Sequence, residues 1–260
     1  MNGYQGRVLP DIPEIKPGDD LAGILCRAAR AGGMEFQPGD ILVVAQKIVS
    51  KAEGRVCTLS EVAPTPRARD IAASTDRDPR LVEVILGESN EVVLASRTAL
   101  VTEHRTGVVC ANAGVDRSNV FSGPEGEDVV VLLPEDADAS ARKLRDAIRE
   151  KTATEVAVIV SDTHGRPFRR GVVGVAIGAA GIEPIIDRRG DADLFGRTLQ
   201  ITVVAQADEA AAAASLLMGQ AGEGRPAVLI RGVEFEKSDA GARALFRPKD
   251  EDFFRGGGKR

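Results

Sequence analysis

Residues 156–181 read VAVIVSDTHGRPFRRGVVGVAIGAAG, and the rest of the chain can be read outward from them. The opening apolar run, residues 156–160, predicts a buried strand. It gives way to Ser161, Asp162 and Thr163, oxygen-bearing side chains at the predicted strand end. A turn at Gly165 follows with Arg166, Arg169 and Arg170, and then a Gly/Val/Ala segment almost without polar side chains. A carboxylate beside a hydroxyl suits a hard cation such as Mg²⁺, and guanidinium groups suit phosphate or carboxylate. The same letters also describe a strand, a polar turn and solvated arginines. This stretch by itself leaves both readings open.

At 260 residues the chain can bury a substantial core, as one large domain or two small ones. Its net charge of −5 offers no general basic field for nucleic acid, and 3% aromatic content leaves little for bases to stack on. Nucleic acid is therefore excluded as the expected partner. The first ten residues lack the apolar core of a signal peptide, and the Ala-rich run at residues 210–218 is too short to span a bilayer. No membrane association is expected. Cys26, Cys57 and Cys110 are odd in number and widely spaced, which disfavours disulfides and thiolate zinc and fits a cytoplasmic protein. With His104 and His164 the only histidines, an imidazole metal cage is also disfavoured. His104, between Glu103 and Arg105, reads as a surface residue.

Three prolines within residues 9–18 predict an extended entry, after which Asp19 and Asp20 predict the cap of a helix running to about residue 31. Residues 41–45 predict a buried strand, and Lys47, Ser50 and Lys51 follow directly at its exit. Two lysines there suit a phosphate, although lysine at a strand edge equally serves to discourage pairing. Residues 66–87 predict two helices separated at Asp78-Pro79, and residues 91–97, 99–102 and 108–111 predict short strands. The loop at residues 112–120 carries Asp116 and Asn119, and it also has the composition of an ordinary Asx-rich turn.

Residues 123–128 read as a mobile acidic loop and 129–133 as a strand. Asp138 is the expected cap of a helix with Leu144, Ala147 and Ile148 facing inward. Residues 187–196 predict a charged turn, 198–205 a strand, 208–218 an Ala-rich helix and 227–231 a last strand. Between the last two, the glycines of residues 219–224 suit either an anion nest or a helix C-cap. The final residues, 256–260, read as frayed, and they lack the pattern of a Walker A loop. Strands and helices do not alternate regularly, which predicts an α+β fold of mixed β-sheets with flanking helices. It is expected to be one domain over residues 1–260, or two intertwined subdomains.

Magnitude decides what Asp116 and Asp162 would need if they share a site with a polyphosphate. A carboxylate about 4 Å from a phosphate charge costs roughly 4 kcal/mol per pair at an effective dielectric near 20. Divalent cations between them are then nearly required, and two such ions would clamp attacking and leaving oxygens in phosphoryl transfer.

Residues 39–55 (GDILVVAQKIVSKAEGR), 112–120 (NAGVDRSNV), 161–178 (SDTHGRPFRRGVVGVAIG) and 207–232 (ADEAAAAASLLMGQAGEGRPAVLIRG) resemble the coenzyme F420-0:L-glutamate ligase family, in the same order. The resemblance reaches to about residue 232 and does not extend to the nitroreductase-like domain that some bacterial members append. It implies a homodimeric amide ligase that uses GTP and Mg²⁺ or Mn²⁺, with K⁺ left open. Such enzymes add L-glutamate to the phospholactyl carboxylate of coenzyme F420-0 through an acyl phosphate, then extend the tail by gamma-linked glutamates.

Carried onto this chain, the resemblance makes Asp116, Asp162 and Thr163 metal ligands, with Gln220 where relatives can present a glutamate. That departure weakens one metal unless Glu223 substitutes. Catalysis falls to Asp116, Asp162 and Lys51. Pro10, Asp11, Ile12 and Pro13 fall where the family binds GTP, as do Gln46, Lys47, Lys51 and Asn119. So do Met218, Gly219, Gln220, Ala221, Gly222, Glu223 and Gly224. Arg166, Arg169 and Arg170 are expected, on charge alone, to hold an anionic substrate. Two other readings compete with the ligase: a GTP- and metal-binding module without turnover, and a metal-dependent phosphohydrolase.

Overall fold

The computed structural model describes residues 3–120, 128–252 and 254. The first elements are β1 (Gln5–Val8), α1 (Leu21–Ala31), β2 (Ile41–Ala45), α2 (Gln46–Ala52), β3 (Val56–Thr58), α3 (Pro66–Thr75) and α4 (Pro79–Gly87). Then come β4 (Ser89–Ala95), β5 (Leu100–His104), β6 (Val109–Ala111), β7 (Val129–Val131) and α5 (Ala137–Thr152). The chain continues with β8 (Ala157–Gly165), β9 (Val172–Ala180), β10 (Ile186–Asp187), β11 (Val203–Val204), α6 (Gln206–Met218) and β12 (Ala227–Arg231). The fold is α+β.

A five-stranded mixed sheet, in the order β1-β12-β2-β8-β9, forms the main layer. Its one parallel pair is β2 with β8, in which Ala45 lies opposite Ser161. Both strands are apolar at successive positions because both faces are covered. Leu42, Val44, Val158 and Val160 point into the core shared with α1 and α5. Ile41, Val43 and Ile159 point into the core beneath α6. A cap such as Asp20, accepting from the Gly23 amide at 3.0 Å, contributes about 1 kcal/mol to starting α1. α6 lies so close to β9 that a Cβ at Gly174 would come within 2.6 Å of the Ala211 carbonyl oxygen, which is why a glycine stands there.

A third core gathers Leu59, Ala68, Val82, Ile85, Leu100 and Val130 between α3, α4 and the small sheets β3-β7 and β4-β5-β6. Its Ala113 and Val115 anchor the loop that carries Asp116 on the side preceding that residue. The backbone of Asp116 exchanges both hydrogen bonds with Val131, at 3.0 and 2.8 Å. A site residue is thus pinned from the side of the molecule away from the main sheet.

Several sequence expectations change. The strand expected to stop before Ser161 runs on to Gly165, because residues 161–165 continue the backbone ladder with β9 whatever their side chains. His104 is buried: β5 is the centre of its sheet, and Thr106 and Glu88 supply ring partners at 2.8 and 3.3 Å. The cap of α5 is Asp136, which accepts from the Ala139 amide at 3.0 Å. Asp138 instead lies buried and accepts from the amides of Ala179 and Ala242, tying α5 to β9. Of the strand expected at 198–205, only β11 forms. β1 is a strand that the polar sequence gave no sign of, and α2 makes a helix of what had read only as a strand exit. The expected mobile segment at 123–128, all but its last residue, and the frayed terminus at 256–260 lie outside the described residues.

Candidate active site

α2 begins at the exit of β2 and presents Lys47 and Lys51, four positions apart, on one face. The Lys47 ammonium lies 2.9 Å from the Asp116 carboxylate and donates to the Ser118 hydroxyl at 2.6 Å and its carbonyl at 3.0 Å. Lys51 donates to the Asn119 carbonyl at 3.0 Å and lies 3.7 Å from Glu14. Asn119 takes the left-handed conformation, which asparagine tolerates, and its amide donates to the Ala221 carbonyl at 2.9 Å. These contacts join α2, the 112–120 loop and the 219–224 turn around one cavity of about 630 Å³.

The neighbouring strand supplies the second carboxylate. Asp162 and Thr163 line the same cavity, where the β8–β9 ladder is irregular between Val160 and Ser161. Asp162 accepts from His164 at 3.1 Å, and Thr163 donates to the Gln220 side-chain oxygen at 3.0 Å. The Gln220 amide nitrogen donates in turn to the Ser215 hydroxyl at 3.2 Å, which fixes which end of the amide faces Thr163. Gly219 turns the chain with φ of +75°, and a Cβ there would strike the Glu223 carboxylate folded over it at 2.3 Å. The positive φ is what favours glycine here, since the exposed Glu223 side chain could swing away from a Cβ.

Electrostatics sets the charge of this cavity. Burial pushes the Asp116 carboxyl upward, but the Ser118 amide and the Lys47 ammonium outweigh it and hold the group below its ordinary value. Burial, with the Asp162 charge adding to it, pushes the Cys110 thiol up to about 12, so it stands beside the site as an inert neutral group.

A family model described as F420-0:Gamma-glutamyl ligase matches residues 11–232. The chain belongs to this family. It is 52% identical over 247 residues to the coenzyme F420:L-glutamate ligase of Methanothermobacter thermautotrophicus, covering 94% of this chain and 96% of that protein. It is 50% identical over 262 residues to the corresponding ligase of Methanopyrus kandleri, covering 98% and 100%. Identity to the ligase of Archaeoglobus fulgidus is 45% over 244 residues, covering 94% and 93%. Membership makes the chain a ligase forming carbon–nitrogen bonds in coenzyme F420 biosynthesis.

Most of the residues expected from sequence meet at this cavity. Ile12 and Pro13 line it, as do Gln46, Lys47, Lys51, Asp116, Asn119, Asp162 and Thr163. Met218, Gly219, Gln220, Ala221, Gly222, Glu223 and Gly224 complete the wall. Pro10 packs instead against Gly32 at the end of α1, and Asp11 is an exposed left-handed residue, so neither lines the cavity. Arg166, Arg169 and Arg170 sit at the tip of the β8–β9 hairpin, also off the cavity wall. Glu223 does not reach Thr163: its carboxylate accepts from the Ala221 amide at 2.8 Å, inside its own turn. Sequence reasoning missed Glu14 and Ser215, whose only signal was proximity in space.

Among the described residues no three of His, Cys, Asp and Glu gather as a metal cage. The donor set fits a hard cation in another form, as two carboxylates, a hydroxyl and an amide oxygen. The Thr163 hydroxyl and the Gln220 amide oxygen are held beside each other by their own hydrogen bond of 3.0 Å.

Proposed function

We propose that this chain joins L-glutamate to coenzyme F420-0, and then further glutamates through gamma linkages, at the expense of GTP and with Mg²⁺ or Mn²⁺. One observation carries the reading: a single cavity collects two carboxylates with hydroxyl and amide oxygens, two helical lysines and a glycine turn. Carboxylates alone would repel a triphosphate, and lysines alone would leave Asp162 without a role.

The chemistry runs in two balanced steps. A carboxylate oxygen of coenzyme F420-0 attacks the gamma-phosphorus of GTP, forming an acyl phosphate and releasing GDP. The glutamate amine then attacks the acyl carbon, inorganic phosphate leaves, and the amine proton passes to solvent or a nearby carboxylate. Asp116, Asp162, Thr163 and Gln220 would hold the divalent cation, which when bound neutralises phosphate charge and polarises the transferred phosphoryl group.

The chain's own groups do the positioning. Lys47 and Lys51 supply point charges for the phosphates, and they are already oriented toward the cavity by Ser118 and Asn119. In the 219–224 turn the Glu223 carboxylate accepts from the Ala221 amide, and a phosphate oxygen would take its place there. Two copies of the chain are proposed as the working unit, because Leu194, Phe195 and Ile201 stand 98%, 88% and 88% exposed on the segment between β10 and β11.

Release of GDP should require both coenzyme F420-0 and glutamate. Phosphate release indifferent to glutamate would instead make the chain a phosphohydrolase.

A further inference from the structure

The tip of the β8–β9 hairpin carries a cluster that the cavity does not use. Phe168 is 95% exposed and takes φ of +60°, a left-handed conformation that is unfavourable for a bulky side chain. Its ring lies 5.8 Å from that of Phe254, tilted by 40°. Arg166, Arg169 and Arg170 surround it in the chain. Among the described residues no ion pair engages these three guanidiniums, and one Arg166 nitrogen is buried without a hydrogen-bond partner. An aromatic held in strain at full exposure, among unpaired cations, forgoes stabilisation on several counts at once.

The hairpin also gives this cluster a direction. β8 passes without a break from Asp162 and Thr163 to the tip. At strand rise the four steps from Asp162 to Arg166 span about 13 Å. An extended ligand with one end in the cavity can therefore lay its other end over the tip.

We infer that the hairpin tip is a subsite for the far end of the acceptor substrate, with Phe168 stacking on a planar conjugated ring and the arginines meeting a phosphodiester. The inference rests on the ligase reading, which supplies an acceptor with a terminal carboxylate and a phosphodiester; the planar ring is what the exposed Phe168 adds to it. The carboxylate belongs at Asp162 and Thr163, and Arg166 is the guanidinium next along the strand. A stacked aromatic accepts such a ring without reading its edge, and a guanidinium fork matches phosphate oxygens.

Calorimetric titration of the full chain with coenzyme F420-0, without GTP or glutamate, reads this subsite. Phe168→Ala is expected to weaken binding roughly 5- to 150-fold, the range of a lost stacking contact. Phe168→Tyr should retain wild-type affinity, and GTP binding should be the same in all three proteins. Phospholactate, which lacks the ring, should bind wild type and Phe168→Ala alike and be weakened by Arg166→Gln. Unchanged affinity of Phe168→Ala for coenzyme F420-0 would overturn the inference. A change in sedimentation mass with affinity unaltered would do the same, marking the aromatic pair as a contact between copies. Wild type that binds neither GTP nor coenzyme F420-0 would remove the ligase reading as well, whereas normal turnover with a silent Phe168→Ala removes the subsite alone.

Discussion

The wall formed by α2 with residues 116–119 and the wall formed by residues 219–224 border the same cavity, yet different bonds hold them. On the first, two lysines four apart make charge-assisted contacts to Asp116, Ser118 and Asn119, and the Asp116 backbone is locked to Val131. On the second, residues 220–224 are exposed and meet the other walls through neutral hydrogen bonds, Thr163 to Gln220 and Asn119 to Ala221, while the one charged contact, Ala221 to Glu223, stays inside the turn. Charge-assisted bonds are about twice as strong as neutral ones. The first wall is therefore tied to its neighbours by charge and the second by neutral contacts alone. Under the proposed function, chemistry that needs fixed charges would fall to the first wall and to Asp162, and affinity to the second.

Removing the fixed charge of the neighbouring strand should have the largest effect. Asp162→Asn keeps a side chain that can meet His164, so the melting temperature should hold while turnover falls at least about a thousandfold. GDP release and a thermal melt check this together. A fully active variant would leave the cation assignment without support.

Next in size is Lys47→Met, which leaves Asp116 with only Ser118, through its amide and its hydroxyl. Turnover is expected to fall about a hundredfold. The stability cost should be about 1 kcal/mol or less, since the Asp116 side chain is 36% exposed and solvent screens the pair. The sign with pH follows from the lowered value of Asp116. The unfolded chain binds the proton more readily, so this contribution is present above the ordinary carboxyl value of 3.8 and is lost as pH falls through the lower folded one. Acid unfolding of Lys47→Met should accordingly begin at a higher pH than in wild type. An unshifted acid transition would mean that Lys47 does not hold Asp116 in solution.

The second wall should respond least. Gln220→Glu adds a charge beside Thr163 and is expected to tighten Mn²⁺ binding about tenfold, read from free Mn²⁺ by electron paramagnetic resonance without nucleotide. Glu223→Gln should leave that affinity unaltered, because its carboxylate is engaged within its own turn. The reverse pattern would transfer the ligand role from Gln220 to Glu223.

Much of this contrast was legible in sequence, and the losses have physical causes. Apolar runs located β2, the start of β8 and β12, because strands covered on both faces need them. Asp78 and Pro79 marked the break between α3 and α4. Where the ladder continued under polar side chains, as at Ser161 to Gly165, the run ended before the strand did. His104 read as exposed from its charged neighbours, but a central strand and partners at Glu88 and Thr106 bury it. Asp136 and Asp138 lie two apart, and only the positions of Ala179 and Ala242 decide which one caps the helix. The pairing of Lys47 with Asp116 spans 69 positions and two cores, which no local pattern carries.

The most direct test is the product itself. The chain incubated with GTP, Mn²⁺, L-glutamate and coenzyme F420-0 should yield GDP and a coenzyme heavier by one or more glutamyl residues on mass analysis. GDP formed with the mass of coenzyme F420-0 unaltered would contradict a ligase built on this cavity.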